Sequence, residues 1–270
     1  MGDLLGGGPR DWTLDPRARH AMLLEASRNA LAQGDPTAAV VLAEELLDET
    51  PDDVDALLVI AAAAPAYGHG EVGALAAAQA AKRGADVGSL EAAALLAACQ
   101  VDRALAAADA ALARAPRDAH AHLVRGIALE LSGRGAEAAE AFAQATALDP
   151  VVLPPPLAAP PDDEWDALLF AATAGLDAPL RDALRGVSLD FEDLPSVELL
   201  RSLQPPPSPL VDALLLDPPG PDAPARDAGR PRIAIYRRNL LRGATSIDEV
   251  EARLQRALEA EAELLLQDDP

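Results

Sequence analysis

The chain has 270 residues, half of them hydrophobic but only 3% aromatic, and 44 acidic side chains face 22 basic ones for a formal charge of −22. Such a charge excludes a nucleic-acid partner held through its phosphates and an anionic membrane surface. The single cysteine excludes an internal disulfide framework.

Residues 1 to 17, MGDLLGGGPRDWTLDPR, are rich in glycine and proline and predict a flexible N-terminus. They lack the apolar core of a signal peptide, and Gly6 stands where a myristoylation motif wants Ser or Thr. No stretch is both apolar and long enough to span a bilayer, since Pro65, Gly68, His69 and Gly70 interrupt the alanine-rich middle. The expected setting is the cytoplasm.

From residue 18 to 150 alanine and leucine dominate, which predicts helix. The segment AHAHLVRGIALELSGRGAEAAEAFAQATALDP ends at Pro150. Gly126 sits where its first helix must approach a neighbour, and Ala138, Phe142 and Ala145 form the packing face of its second. Pro116 lies 34 residues earlier, with Ala92, Ala104, Ala108 and Ala111 at corresponding places. Pro51 closes another unit with Ser27, Ala39 and Ala43, and Gly34-Asp35 marks its turn. A shorter unit turning at 65–70 fits between Pro51 and Pro116. Small residues recur at the contacts because bulky ones would push paired helices apart. This pattern resembles the tetratricopeptide repeat, and predicts about four helical hairpins stacked as a solenoid. An alanine-rich bundle without solenoid curvature is the structural alternative.

The resemblance implies a concave groove that takes a protein or peptide partner. Its lining would include His120, Leu123, Ile127, Glu130 and Leu131 in the last unit and Arg28 in the first. These places are mostly apolar, which suits an amphipathic helix, one from this same chain included. His120 and His122 lie two apart on a helix and cannot share one metal. Cys99, among alanines and leucines, is expected as a buried small hydrophobe.

Residues 151–163, VVLPPPLAAPPDD, cannot form helix or sheet and predict a semi-rigid linker. Beyond it, residues 164–270 are expected to form a small α+β domain. Trp165, Leu168, Leu169 and Ala172 mark a helix, 179–184 a second, and Val187, Leu189 and Phe191 alternate as a strand. PPPSPLVDALLLD leads into another strand, and the prolines and glycines of 218–231 predict a loop. Ile233 and Ile235 alternate with Arg232, Ala234 and Tyr236 as a half-buried strand. Ser246 and Glu249 then form a capping box for a helix with Val250, Leu254, Ala257, Leu258, Leu264 and Leu265 on its apolar stripe.

This order, ending in YRRNLL and a capped helix, resembles the small bacterial zincin-like (minigluzincin-type) metallopeptidases. In that family the last helix carries H-E-x-x-H, two zinc-binding histidines and a glutamate base. The corresponding positions here are Glu259, Ala260 and Glu263, with a further acidic position near Asp269. Ala260 has no proton-accepting atom, so the resemblance implies a catalytically inactive domain with neither catalytic nor metal-binding residues and no cofactor. Acidic residues on a solvated helix face account for the EAEAE sequence, the alternative being that Glu259 and Glu263 together hold a hard cation such as Ca²⁺ or Mg²⁺ through oxygen.

Arg226, Arg230, Arg232, Arg237, Arg238 and Arg242 form one basic cluster in an acidic chain. It is either a docking patch, for an acidic partner or the chain's own repeats, or a row of strand-edge arginines that discourages pairing. The leading expectation is a mainly helical, cytoplasmic protein–protein interaction scaffold with an inactive metallopeptidase-like domain, its concave groove or arginine-rich strand edge engaging a protein partner, with docking of the two domains on each other as a further option. The competing reading is a metallopeptidase using Glu259, Glu263 and Asp269 as ligands with Glu261 as base. A third is a structural assembly factor whose two domains pack together and bind nothing small.

Overall fold

The computed structural model describes residues 15–204, 206–216 and 231–267. The chain divides into two compact units, residues 1–87 and 88–270.

The first unit holds two helical hairpins. They are α1 (Pro16–Ala32) with α2 (Pro36–Glu49), and α3 (Val54–Ala63) with α4 (Gly70–Lys82), the latter joined through a 3₁₀ turn at Ala64–Tyr67. Helix α1 begins inside the stretch expected to be flexible. Proline at a first helical position loses no hydrogen bond, so Pro16 starts the helix. Asp35 and Asp53 cap α2 and α3 by accepting from the backbone N–H of Ala38 (2.9 Å) and Ala56 (2.8 Å), contacts each worth about 1 kcal/mol. The hairpins close on alanines, with Ala39, Ala43, Ala56, Ala76, Ala77 and Ala80 all buried. Where α4 crosses the 3₁₀ turn even alanine is too large. A β-carbon at Gly73 would lie 2.9 Å from Cδ of Pro65.

The second unit opens with two more hairpins, α5 (Leu90–Ala97) with α6 (Val101–Arg114) and α7 (Ala119–Leu131) with α8 (Gly135–Leu148). Asp118 caps α7 at Ala121 N (3.0 Å). Between α7 and α8 the chain turns through Gly133 at φ +74°. The corresponding turn one repeat earlier uses Cys99 at φ +57°, the only non-glycine residue with positive φ among the described residues. The chain is thus mainly helical, and hairpins run through the region expected to repeat.

After Pro150 the proline-rich segment forms neither helix nor strand over 154–161. It is followed by α9 (Asp162–Gly175), α10 (Ala178–Ala183), β1 (Ser188–Glu192), α11 (Val197–Ser202), β2 (Ala213–Leu216), β3 (Arg232–Tyr236), α12 (Arg237–Leu241) and α13 (Ile247–Gln267). The loop expected over 218–231 falls, except for Pro231, outside the described residues.

The three strands among the described residues are ordered β1-β3-β2. Strand β3 pairs parallel with β1, Ser188 opposite Arg232, and antiparallel with β2, Ala213 opposite Ile235. Alternation predicts a half-buried strand for β3, but both of its faces are covered. Ile233 and Ile235 pack with Trp165, Leu168, Leu254 and Leu258 of α9 and α13. Ala234 and Tyr236 pack with Leu216, Leu199, Val211 and Leu214 on the other side. Neighbouring strands cover only the edges of β3; its faces are covered by α9 and α13 on one side and by Leu199 of α11 with Val211 on the other, which is why alternation of residue type does not end in alternation of burial.

Helix α13 starts as expected. Ser246 Oγ accepts from Glu249 N (3.2 Å), but the Glu249 carboxylate reaches Thr245 N and Oγ1, both at 3.0 Å, rather than the backbone of Ser246. These two hydrogen bonds hold the Glu249 carboxyl below its ordinary range. Val250, Leu254, Leu258 and Ala262 form the buried stripe, whereas Leu264, expected on it, is exposed.

Candidate partner-binding site

Arg237, Arg238 and Arg242 of the basic cluster are positioned by α12, which leaves β3 without an intervening loop. Buried Asn239 fixes this short helix by donating to the carbonyls of Pro209 (2.9 Å) and Val211 (2.7 Å). Arg253 of α13 donates to the carbonyls of Asn239 (3.0 Å) and Arg242 (2.8 Å) and to the carboxylate of Asp212 (2.9 Å). Burial pushes the Asp212 carboxyl up, against the pull of the Arg253 guanidinium. A backbone segment whose carbonyls are held this way presents its other side chains in a fixed direction.

Two of those side chains meet Glu130 near the end of α7. Arg238 donates to one carboxylate oxygen at 2.9 Å and Arg242 to the other. The guanidinium of Arg242 also lies 5.8 Å from the centre of the Phe142 ring and donates to Asn239 Oδ1 (2.7 Å). Burial pulls the Arg242 pKa down against the attraction of Glu130, while the hydrogen bond to Glu130 raises that of Arg238. The Arg242 and Glu130 side chains are 14% and 10% exposed and Arg238 is 49% exposed, so Arg238 alone of the three offers much of its charge to solvent.

Beside this clamp lies a groove of about 600 Å³. Its floor is the outer face of α8, Ala139, Phe142, Ala143, Thr146 and Ala147. Leu153, Pro154, Pro156 and Leu157 form one wall, and α12 with the residue after it, through Arg238, Leu241 and Arg242, forms the other. The lining is chiefly apolar, with two guanidiniums against the one carboxylate of Glu130.

The other described arginines of the cluster also have acidic neighbours. Arg232 pairs with Glu192 (2.9 Å) and Arg237 with Asp162 (3.1 Å). Arg237 further lies over Trp165 and Phe191, whose rings are 5.2 Å apart, at 5.7 and 5.2 Å. The strand-edge picture of the cluster is therefore corrected. Arg232 is on the central strand, Arg237 and Arg238 are in α12, and Arg242 follows it. Arg226 and Arg230 lie outside the described residues.

Of the expected groove positions on α7, His120 is exposed, Leu123 and Leu131 are half-buried, Ile127 is buried, and Glu130 is taken up by the arginine clamp. Ile127 therefore offers no surface as the chain stands. Arg28, in the first unit, pairs with Asp55 of α3 at 2.6 Å. His122 places Nε2 3.1 Å from the carbonyl oxygen of Pro116.

At the positions matching the metallopeptidase motif, Glu259 accepts from Gln255 Nε2 (3.0 Å), and Ala260 and Glu263 are exposed. Asp269 lies outside the described residues. Glu261 points elsewhere, accepting from Leu215 N of the edge strand β2 at 2.8 Å, and burial raises its carboxyl pKa. Among the described residues no group of three or more His, Cys, Asp or Glu is placed to hold a metal, and no helix is long and apolar enough to cross a membrane.

Sequence reasoning missed the floor of the groove and its leucine wall. Ala139, Ala143 and Thr146 recur at helical spacing on α8, and Leu153 and Leu157 punctuate the proline run. Both were visible as apolar residues without an assigned neighbour.

No family model matches the chain, and no curated protein does. Several solved structures are similar to it over about half its length. One is a thermophilic TPR protein in Thermus thermophilus, 25% identical over 48% of this chain and 74% of that one, with a TM-score of 0.43. Another is MamA 41-end from Desulfovibrio magneticus RS-1, 24% identical over 49% and 76%, with a TM-score of 0.42. A third is MamA MSR-1, 19% identical over 50% and 80%, with a TM-score of 0.43. None of these comparisons supports the zincin-like resemblance.

Proposed function

We propose that the chain is a protein–protein interaction scaffold whose helical hairpins present the binding surface. The observation that carries this reading is the groove on α8, an apolar concavity of about 600 Å³ left open beside a fixed pair of arginines. Protein-binding sites combine apolar area of this kind with a few oriented charges. His120, Leu123 and Leu131 on α7, and Arg28 in the first unit, are the further positions proposed for partner contact. The bonds from Arg238 and Arg242 to Glu130 support a second element of the proposal, that the C-terminal α+β part docks on the last hairpin of the repeats.

That C-terminal part is proposed as a metallopeptidase-like domain without catalysis. Ala260 supplies no general base, and Glu261 is engaged with the β2 backbone rather than turned toward Glu259. The cytoplasm is its proposed setting.

A photo-crosslinking amino acid placed at Ala143, at Leu123 and at the exposed Gln144 in the full chain, in its native cells, tests the scaffold reading. The expected result is a discrete protein adduct from Ala143 or Leu123 and none from Gln144. Absence of an adduct from both surfaces ends it. The inactive-domain element has its own test. A stoichiometric divalent ion in the purified protein, with chelator-sensitive peptide cleavage, would replace it with the carboxylate-ligand peptidase reading. A folded Glu259→His, Ala260→Glu, Glu263→His variant should gain zinc affinity if the helix occupies a zincin frame.

A further inference from the structure

We infer that the groove on α8 takes an amphipathic α-helix of a partner protein, one that turns an apolar stripe to α8 and a carboxylate to Arg238. This rests on the scaffold reading and names the partner class for its groove.

The argument comes from the repeat itself. Helices α6 and α8 are related by 34 residues, so Leu105 and Asp109 of α6 correspond to Ala139 and Ala143 of α8. In α6 those positions receive the first helix of the next hairpin. Leu105 packs into the cluster of Leu129, Ala138 and Ala141, and Asp109 accepts from Arg125 of α7 at 2.7 Å. Among the described residues no following helix lies along the same face of α8. The proline segment and α12 stand on either side of it and enclose the groove. The face is therefore shaped by the stack to receive one more helix.

Residues Ala139, Phe142, Ala143, Thr146 and Ala147 follow the spacing by which one helix packs on another. Three alanines permit close approach, and the nine residues from Ala139 to Ala147 span about 12 Å, the length of a partner segment of two to three turns. The charge of the incoming helix also differs from that inside the stack. There the second helix supplied the acid, Asp109, and the incoming helix the arginine, Arg125. Here the position of Asp109 is Ala143, and the charges come from the wall as Arg238 and Arg242 against Glu130. Among the described residues Arg238, half-exposed, has besides Glu130 only a longer contact to exposed Asp193 at 3.5 Å, so a fitting helix carries Asp or Glu beside its apolar stripe to take the place of Asp193 at that guanidinium.

The test uses the full chain and three labelled peptides of about 20 residues, beyond the length at which isolated helices are marginal in water. One has leucine and alanine on one face and glutamate on the other, the second replaces glutamate by lysine, and the third breaks the acidic peptide with a central proline. Fluorescence anisotropy should show the acidic helix binding at least tenfold more tightly than either of the others. Ala143→Tyr, at an exposed position, should weaken that binding at least tenfold while leaving the thermal melt unchanged. Arg238→Glu should reverse the preference between the acidic and lysine peptides. Equal binding of the lysine peptide, equal binding of the proline-broken peptide, no binding of any, or indifference to both substitutions overturns the proposal. Self-association abolished by Ala143→Tyr would assign the groove to a second copy and overturn it as well. A crosslinked partner at Ala143 that binds as an extended segment would sink this inference while leaving the scaffold reading intact.

Discussion

Gly126 of α7 lies directly beneath the ring of Phe142 in α8, so close that a β-carbon on it would sit 2.5 Å from Phe142 Cε1. The two helices approach at this distance because one residue has no side chain and the other fills the space it leaves. Phe142 also forms part of the groove floor and supports Arg242. Gly126→Ala should cost about 1 to 3 kcal/mol through overpacking, read by urea denaturation. Adding Phe142→Leu should recover part of the loss, since the clash is with the ring, and a double-mutant cycle measures that coupling.

Glu130 holds two arginines of unequal exposure, and its removal should matter through the buried one. Glu130→Ala leaves Arg242 without its carboxylate at 14% exposure, a loss of about 3 kcal/mol. Arg238→Ala removes a half-exposed partner and should cost no more than about 1 kcal/mol. Denaturant midpoints of the two variants decide the point, and equal losses would contradict this division of the clamp.

The carboxyl of Glu261 is raised by burial, with the N–H of Leu215 opposing. A raised carboxyl binds its proton more tightly in the folded chain, so the folded state gains from protonation. Its contribution is fully present below the unfolded carboxylate range, near pH 4, and is lost as pH rises through the folded value. Glu261→Gln keeps an acceptor for Leu215 and removes the buried charge. The variant should be more stable than the parent at pH 7, and the difference should close as pH falls toward 4. Thermal melts at both values measure it.

Tyr236 is fully buried, its hydroxyl has no hydrogen-bond partner among the described residues, and burial pushes its pKa up to about 12. Stability tied to the neutral phenol is fully present below about pH 10 and lost as pH rises through the folded value of about 12. Tyr236→Phe removes an unsatisfied group at little change of shape. It should leave stability at pH 7 unchanged or raise it by up to about 1 kcal/mol, and it should widen the alkaline limit of folding. Spectrophotometric titration of a Tyr67→Phe variant, which leaves Tyr236 as the sole tyrosine, should place its ionisation near pH 12.

The repeat region was legible because its contacts are local. Alanines at helix crossings, glycine at Gly126 and closing prolines each report a constraint within about 34 residues, and hairpins stand where they were expected. The same logic stopped at Cys99. Its burial was readable from its apolar neighbours, but its φ of +57° was not, because only alignment with Gly133 marks that turn as left-handed. In the C-terminal part strands and main helices were readable from alternation and capping, while α11 and α12 are too short for periodicity to register. The arginine cluster was readable as a cluster and not as a set of contacts. Which carboxylate each guanidinium meets depends on folding together residues as distant as Glu130 and Arg242.

The middle strand of the sheet is also the last of the three to be synthesised. Residues 188–192 and 213–216 flank β3 and do not pair with each other, so neither gains a ladder until 232–236 have left the ribosome. The hairpins have no such wait, since each closes on residues made moments before. Translation thus separates the chain into a part that can settle progressively and a part held back until one late segment arrives. Meanwhile both waiting strands expose unpaired backbone for as long as that takes.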